Sequence, residues 1–181
     1  MRLTKLAKEQ LCKFLQPGDT AIDATVGNGQ DTVFLAVQVG FSGQIHGFDI
    51  QSDALINARQ LIEKQAPESN VELYLAGHEK MDKHLPDNLR SNSAAAVFNL
   101  GYLPGGNKSV TTRTNTTLIA LDLAWEKYLK PRGMLSILCY PGHPGGQEET
   151  EAVGDWLIKI NAKVITTRSL GPVLHLSLIH I

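Results

Sequence analysis

The chain has 181 residues, of which 43% are hydrophobic and 19% charged, and its formal net charge is −1. That length suits one domain, 1–181, with a real core, and the neutral balance argues against a dedicated duplex-DNA binder, which would be strongly basic. No apolar run reaches the ~18 residues of a membrane span, and Cys12 and Cys139 are too few for a disulfide framework and lack the paired spacing of a zinc site.

Leu3, Ala7, Leu11, Phe14 and Leu15 form one helical stripe, which QPGD at 16–19 stops. The start, MRLTKLAKEQL, has no apolar stretch of a signal peptide, so a cytoplasmic protein with reduced thiols is expected. TAIDAT is a short buried strand aimed at a glycine turn, followed by a helix over about 32–39. GQIHGFDI is the next strand, ending at Asp49, and Ala54, Leu55, Ala58, Leu61 and Ile62 give a second amphipathic helix. VELYLA (71–76) and AAAVFNL (94–100) are strands three and four. Leu118, Leu121, Trp125 and Tyr128 recur at helical spacing, and GMLSILCY (133–140) is a fifth strand. Ala152, Val153, Trp156, Leu157 and Ile160 mark another helix, and AKVITTRS a sixth strand. Trp125 and Trp156 are expected in the core. Strands alternating with helices predict an α/β fold, a doubly wound, mostly parallel sheet with helices on both faces. Ligands of such sheets bind beyond the carboxyl ends of the strands. The informative residues sit there: Asp23 to Gly29, Asp49, His78, Asn99 to Gly106 and Tyr140 to Gly146.

DATVGNGQDTVFLA (23–36) places acids on both sides of a glycine turn. A dinucleotide fingerprint would carry a third glycine; Thr32 stands there instead, and Asp31 would repel a pyrophosphate. A ligand with a cationic amino-acid portion fits better. S-adenosylmethionine is such a ligand: its ammonium suits Asp23, and Gly27 and Gly29 permit close approach. Asp49, 20 residues beyond Gly29, suits a ribose diol. Asp31 is either a site acid or only an early-helix acid or cap.

With FDIQ (48–51), FNLGYLPGGNKSVTT (98–112) and YPGH followed by Gly146 and Glu149, the chain resembles a class I S-adenosylmethionine-dependent methyltransferase with a Rossmann-like sheet. More narrowly it resembles the small bacterial family labelled rRNA methylase, the YtqB or MnmM type. That resemblance implies methylation of 5-aminomethyl-2-thiouridine at the tRNA wobble position. It implies a cofactor set of Asp23, Gly27, Asn28, Gly29, Asp31, Thr32, Asp49, Gln51, His78, Asn99 and Leu100, and no metal.

Asn99-Leu100-Gly101-Tyr102 resembles the Asn-Pro-Pro-Tyr loop of amino-group methyltransferases. The Asn99 oxygen and the Leu100 carbonyl can accept an amine's N–H bonds while its lone pair faces the methyl, so much of the acceleration is positioning. Tyr102 can stack on a base. Tyr102, His143 or water can receive the amine's proton. Gly101, Tyr102, Lys108, Thr111, Arg113, Tyr140 and His143 form the expected substrate set, with Asn99, Tyr102 and His143 catalytic; Thr112 is a possible neighbour.

From Lys108 to Arg132 five basic residues face two acids, and the first 13 residues hold four basics against Glu9. Such local excess can grip RNA, here a tRNA anticodon loop; a solvated helix face explains it equally well. Strand six or the N-terminal helix could pair subunits in a homodimer. The other readings are an rRNA or small-molecule N- or O-methyltransferase, an S-adenosylmethionine- or RNA-binding protein without turnover, and, at fold level only, a nicotinamide dehydrogenase.

The family's usual ending carries an Asn-Gln and Pro-Pro segment that SLGPVLHLSLIHI lacks. Leu176–Ile181, LSLIHI, is what a common transposon-based sequencing adaptor gives when translated. These residues are therefore expected to be foreign to the natural gene, although their alternation could still pair as a strand. Resequencing from genomic DNA checks this, and finding those codons there overturns it.

Overall fold

The computed structural model describes residues 3–103, 105–106, 109–160, 163–170 and 173–179, with side chains as far as residue 160. Helix α1 (Leu3–Leu11) precedes β1 (Thr20–Asp23), α2 (Gln30–Val39), β2 (Gln44–Asp49), α3 (Ser52–Gln65) and β3 (Asn70–Leu75). β4 (Ser93–Leu100), α4 (Thr114–Asp122), β5 (Leu129–Cys139), α5 (Gly146–Lys159), β6 (Lys163–Leu170) and β7 (Val173–Ile179) follow. The seven strands form one sheet in the order β3-β2-β1-β4-β5-β7-β6. β1 to β5 pair in parallel. β7 is antiparallel to both β5 and β6, and Leu176–Ile179 pair with Met134–Ile137. β6 is thus an edge strand.

The period-two alternation of the strands sorts the core onto two faces. Ile22, Phe98, Leu100, Leu135 and Ile137 pack against Leu121, Trp125, Tyr128, Val153 and Trp156. Ala21, Ala95, Val97 and Met134 face Leu11, Val33, Leu35 and Val39 on the other side. β4 is covered on both faces, which explains its unbroken apolar run. The Trp156 indole N–H donates to Asp122 Oδ1 at 2.7 Å, and the rings of Trp125 and Trp156 meet edge to face at 6.2 Å. Both tryptophans are buried, as expected.

Local details depart from the sequence expectation. α1 ends at Leu11, and Leu15 reaches the core from a turn. Helix α4 runs into a π-helical turn over Leu123–Tyr128. β5 begins at Leu129, ahead of Gly133, with Arg132 at φ 66°. Between β3 and β4 lie two 3₁₀ segments, His78–Lys83 and Asp87–Leu89. Among the described residues no helix is long and apolar enough to cross a membrane.

The chain leaves β1 toward β2 and β3, then returns to β4 on the other side of β1. That reversal opens a crevice beyond the carboxyl ends of β1 and β4. The glycine turn closes one wall. Gly29 adopts φ +82°, and a Cβ there would lie 2.8 Å from Ala58 Cα on α3. Its lack of a side chain therefore serves the docking of the turn on α3. Gly29→Ala is expected to destabilise the protein by about 2 kcal/mol or more, from left-handed strain and the clash together. Urea unfolding should show a lower midpoint at unchanged slope; an unchanged midpoint contradicts the packing role.

Candidate active site

The crevice is a cavity of about 480 Å³. Thr25 and Gly27 line it from the first turn, Asp49, Ile50 and Gln51 from the end of β2, and His78 from the 3₁₀ segment. Asn99, Gly101 and Tyr102 close it from β4, and Thr111, Thr112 and Arg113 from the start of α4.

Asp49 holds the β2 end of the cavity together. Its Oδ2 accepts Gly27 N–H and its Oδ1 accepts Gln51 N–H, both at 2.9 Å. Each carboxylate oxygen keeps a second lone pair, so two vicinal hydroxyls can still donate to it. Phe48, Ile50 and Ala76 give apolar walls beside it. The His78 ring nitrogen Nδ1 donates to Ala24 O at 3.2 Å, and burial pushes its pKa down, keeping it neutral.

At the other end stands Asn99. Its N–H donates to Thr25 Oγ1 at 2.7 Å, and its Nδ2 donates to Asp31 Oδ2 at 2.9 Å. A carboxylate only accepts, so the orientation of the amide is fixed, and Oδ1 is left for the cavity. Asp31 is itself held by Lys8 of α1, with Nζ 2.8 Å from Oδ1. Lys8 also reaches Gln30 O and lies 5.0 Å above the Phe34 ring. Tyr102 is 36% exposed and meets the His143 ring edge-on at 6.3 Å. Tyr102 and Thr111 form an isolated antiparallel bridge, and Thr112 N–H donates to Gly101 O at 2.9 Å.

Other expected site residues lie outside this lining. Asp23 is completely buried. Its Oδ1 accepts Thr25 N–H and its Oδ2 accepts the Thr32 hydroxyl at 2.6 Å, so it braces the turn from within and Thr32 is its donor, with neither facing the cavity. Gly29 packs on Ala58, and Asn28 accepts from Asn57 Nδ2 at 3.2 Å. Leu100 is buried and its carbonyl accepts Tyr140 N–H at 2.9 Å, a strand-extending bond that takes one of its two lone pairs. Tyr140 packs under Gly101 and against the α1 face formed by Leu3 and Ala7. Lys108 lies outside the described residues. Part of the local basic excess is paired internally: Lys8 with Asp31, Lys127 with Asp82 and Lys130 with Asp19. Arg113 remains at the cavity. His46 and His84 pack around Tyr74 on β3.

Sequence reasoning left Glu149 without a role. It is 2% exposed, and accepts the hydroxyls of Thr112 and Thr117 at 2.7 and 2.6 Å. Its position in the first turn of α5 looks like ordinary helix-end electrostatics, and no spacing rule could have found its partners. Among the described residues no group of three potential metal ligands occurs.

Burial, aided by the carboxylates of Asp31 and Asp49, pushes the pKa of Asp23 up to about 7 against the hydrogen bonds from Thr32 and Thr25. The folded protein thus keeps this proton over a range where the unfolded chain releases it. The associated stability is fully present below about pH 4 and is lost as pH rises through about 7. Relative to Asp23→Asn, the wild type should lose roughly 1 kcal/mol per pH unit between about pH 5 and 7, then level off. Urea unfolding of both proteins across that range measures it; a pH-independent difference contradicts a protonated Asp23.

Residues 45–173 match the family described as "Putative rRNA methylase". A curated relative, the "tRNA (mnm(5)s(2)U34)-methyltransferase, chloroplastic" of Arabidopsis thaliana, is 42% identical over 160 residues, covering 84% of this chain and 57% of the relative. The chain thus spans a little over half the length of that relative. The crystal structure of a "putative rRNA-methylase" from Clostridium thermocellum is 33% identical with a TM-score of 0.90, covering 100% of this chain and 98% of that one. A "putative methyltransferase" from Streptococcus mutans, solved in complex with SAH, is 33% identical with a TM-score of 0.86, covering 100% and 99%. With the match running from β2 into β7 and both structures superposing along the whole chain, the protein belongs to the rRNA methylase family.

Proposed function

We propose that the protein transfers a methyl group from S-adenosylmethionine to an amine on RNA, the 5-aminomethyl group of the wobble 2-thiouridine in a tRNA anticodon loop, in the cytoplasm. The observation that carries this reading is the Asn99 amide, turned by Asp31 so that its acceptor is left for the cavity beside the exposed Tyr102. A pure binding protein has no need of an amine clamp. The name of the Arabidopsis relative, a tRNA (mnm(5)s(2)U34)-methyltransferase, supports the choice of substrate, and the SAH bound by the Streptococcus mutans protein supports the choice of donor.

The residues present fit the donor. Asp49 can accept from a ribose diol, Ile50 and Phe48 give a base its apolar walls, and Gly27, at φ +52°, lets the turn backbone approach closely. When bound, S-adenosylmethionine supplies an electrophilic methyl whose bond to sulfur breaks with the electron pair staying on sulfur. The chain's own work is orientation. Asn99 Oδ1 accepts one N–H of the amine and aims its lone pair, and Tyr102 offers a stacking face to an unstacked anticodon base. Arg113, with Lys108 nearby in the sequence, answers the RNA phosphates. Holding both reactants in a near-attack geometry supplies much of the acceleration.

The deciding experiment uses purified protein, labelled S-adenosylmethionine and bulk tRNA from cells lacking the terminal wobble methylation, with nucleosides resolved by mass spectrometry. One added methyl on 5-aminomethyl-2-thiouridine is the expected result. SAH binding with no methyl gained removes this substrate. Asn99→Ala should keep calorimetric SAH affinity and lose about 10²–10³ in turnover, the loss typical of removing one preorganised polar group; wild-type turnover contradicts the clamp. Asp49→Ala should weaken SAH binding by roughly 10-fold or more through the lost charge-assisted bonds, and equal affinity contradicts the ribose assignment.

A further inference from the structure

We infer that Thr112, Glu149 and His143 form the exit by which the substrate amine loses its proton before methyl transfer. The inference rests on the amine reading above. An alkylamine, with a pKa near that of a lysine side chain at about 10.4, is mostly protonated at neutral pH. Its lone pair is then unavailable, and the Asn99 amide cannot act as a base. Asp31 is occupied by Lys8 and Asn99, and Asp49 by two backbone N–H groups at the nucleoside end.

Thr112 has the required geometry. It lines the cavity, and its backbone N–H is pinned to Gly101 O. Its hydroxyl proton is committed to Glu149 Oε2 at 2.7 Å, which leaves the hydroxyl lone pairs for a substrate N–H. Thr112 Oγ1 can take the ammonium proton as its own proton passes to Oε2. Glu149 is 2% exposed, and its other oxygen is held by Thr117 at 2.6 Å. The same Oε2 lies 4.0 Å from His143 Nε2, whose side chain is only 2% exposed. His143 Nδ1 contacts Pro144 O at 3.1 Å; a carbonyl only accepts, so Nδ1 carries a hydrogen, and in the neutral ring Nε2 keeps the lone pair. Among the described residues that buried Nε2 has no hydrogen-bond partner. It receives the proton from Oε2 once the two groups close to hydrogen-bond distance or through one bridging water, since 4.0 Å is too long for direct transfer. Gly146 makes room for the ring, since a Cβ there would lie 2.8 Å from Nε2.

The other titratable groups whose charge is felt with that of Glu149 are His78 from the 3₁₀ segment and Cys139 from β5. Burial lowers the pKa of the first, and pushes the thiol of the second up to about 12. α4 contributes only the Thr117 hydroxyl. The balance is complete: the ammonium gives one proton to the relay, and the freed nitrogen lone pair forms the new N–C bond as the C–S bond breaks. A methylammonium, a neutral thioether and one released proton result.

The test compares Thr112→Val, Thr112→Ser and Glu149→Gln with the wild type in single-turnover methylation of the undermethylated tRNA between about pH 6.5 and 9.5, a range approaching the amine's own pKa. Calorimetric SAH affinity and urea stability are measured alongside. Thr112→Val should fall about 10²-fold near pH 7, the lower end for general acid–base catalysis. The deficit should shrink as rising pH deprotonates the amine in solution, with SAH affinity unchanged. Thr112→Ser should stay near wild type, and Glu149→Gln should share the pH-dependent deficit. If Glu149→Gln fails to fold, the threonine pair decides. A deficit that is constant with pH, or no deficit, overturns the relay. A wild-type protein that binds SAH yet leaves this tRNA unmethylated overturns the amine reading, and the relay falls with it.

Discussion

Asp23, Asp31, Asp49 and Glu149 converge on the carboxyl end of one sheet, where like charges in a partly buried space repel strongly. Each is accommodated by different means. Asp49 takes two backbone N–H groups, Asp31 an ammonium and an amide, and Glu149 two hydroxyls. Asp23 sits under the turn and is held near neutrality instead, partly because Asp31 and Asp49 stand beside it. The donors that satisfy these acids are also the groups that shape the cavity. Thr25, Gly27, Asn99 and Thr112 are fixed by hydrogen bonds before any ligand arrives. Such preorganisation is what lets a site orient reactants without reorganising during the reaction.

Glycines in the first turn divide between two tasks. Gly27 faces the cavity side, with Leu103 Cδ1 3.1 Å from where its Cβ would be. Gly29 meets Ala58 of α3 instead. The pattern Gly-x-Gly therefore mixes one ligand-side requirement with one helix-packing requirement, and both are backbone problems that a side chain would spoil.

The architecture was legible because periodicity reports burial directly. β4 read as a strand from AAAVFNL, and the loops after the strands marked the ligand end. The Asn99 loop and Asp49 could be placed for the same reason: each ends a strand. Less legible were the residues whose meaning is set by tertiary partners. Glu149 looks like any first-turn acid until Thr112 and Thr117, more than thirty positions earlier, are brought to it. Asp23 looked exposed to ligand because it ends β1, but a strand's last side chain can turn into the sheet as easily as out of it. The basic residues suggested RNA contact, yet composition cannot show that Lys127 and Lys130 already have carboxylates. The π-helical turn and the 3₁₀ segment bearing His78 carry no periodic signal of their own.

Helix α1 lies outside the strand–helix alternation, and its attachment explains why a peripheral element matters to the chemistry. Leu3 and Ala7 seat it on β5 at Leu138, which brings Lys8 over the start of α2. Without that ammonium, the Asp31 carboxylate would lose the contact that anchors it, and its hold on the Asn99 amide would loosen. The direction of the Asn99 acceptor at the cavity is therefore set through a chain of contacts, from α1 through Lys8 and Asp31 to Asn99. Each contact is an ordinary hydrogen bond or ion pair, and the specificity comes from their being connected in series to a planar group with one donor end and one acceptor end.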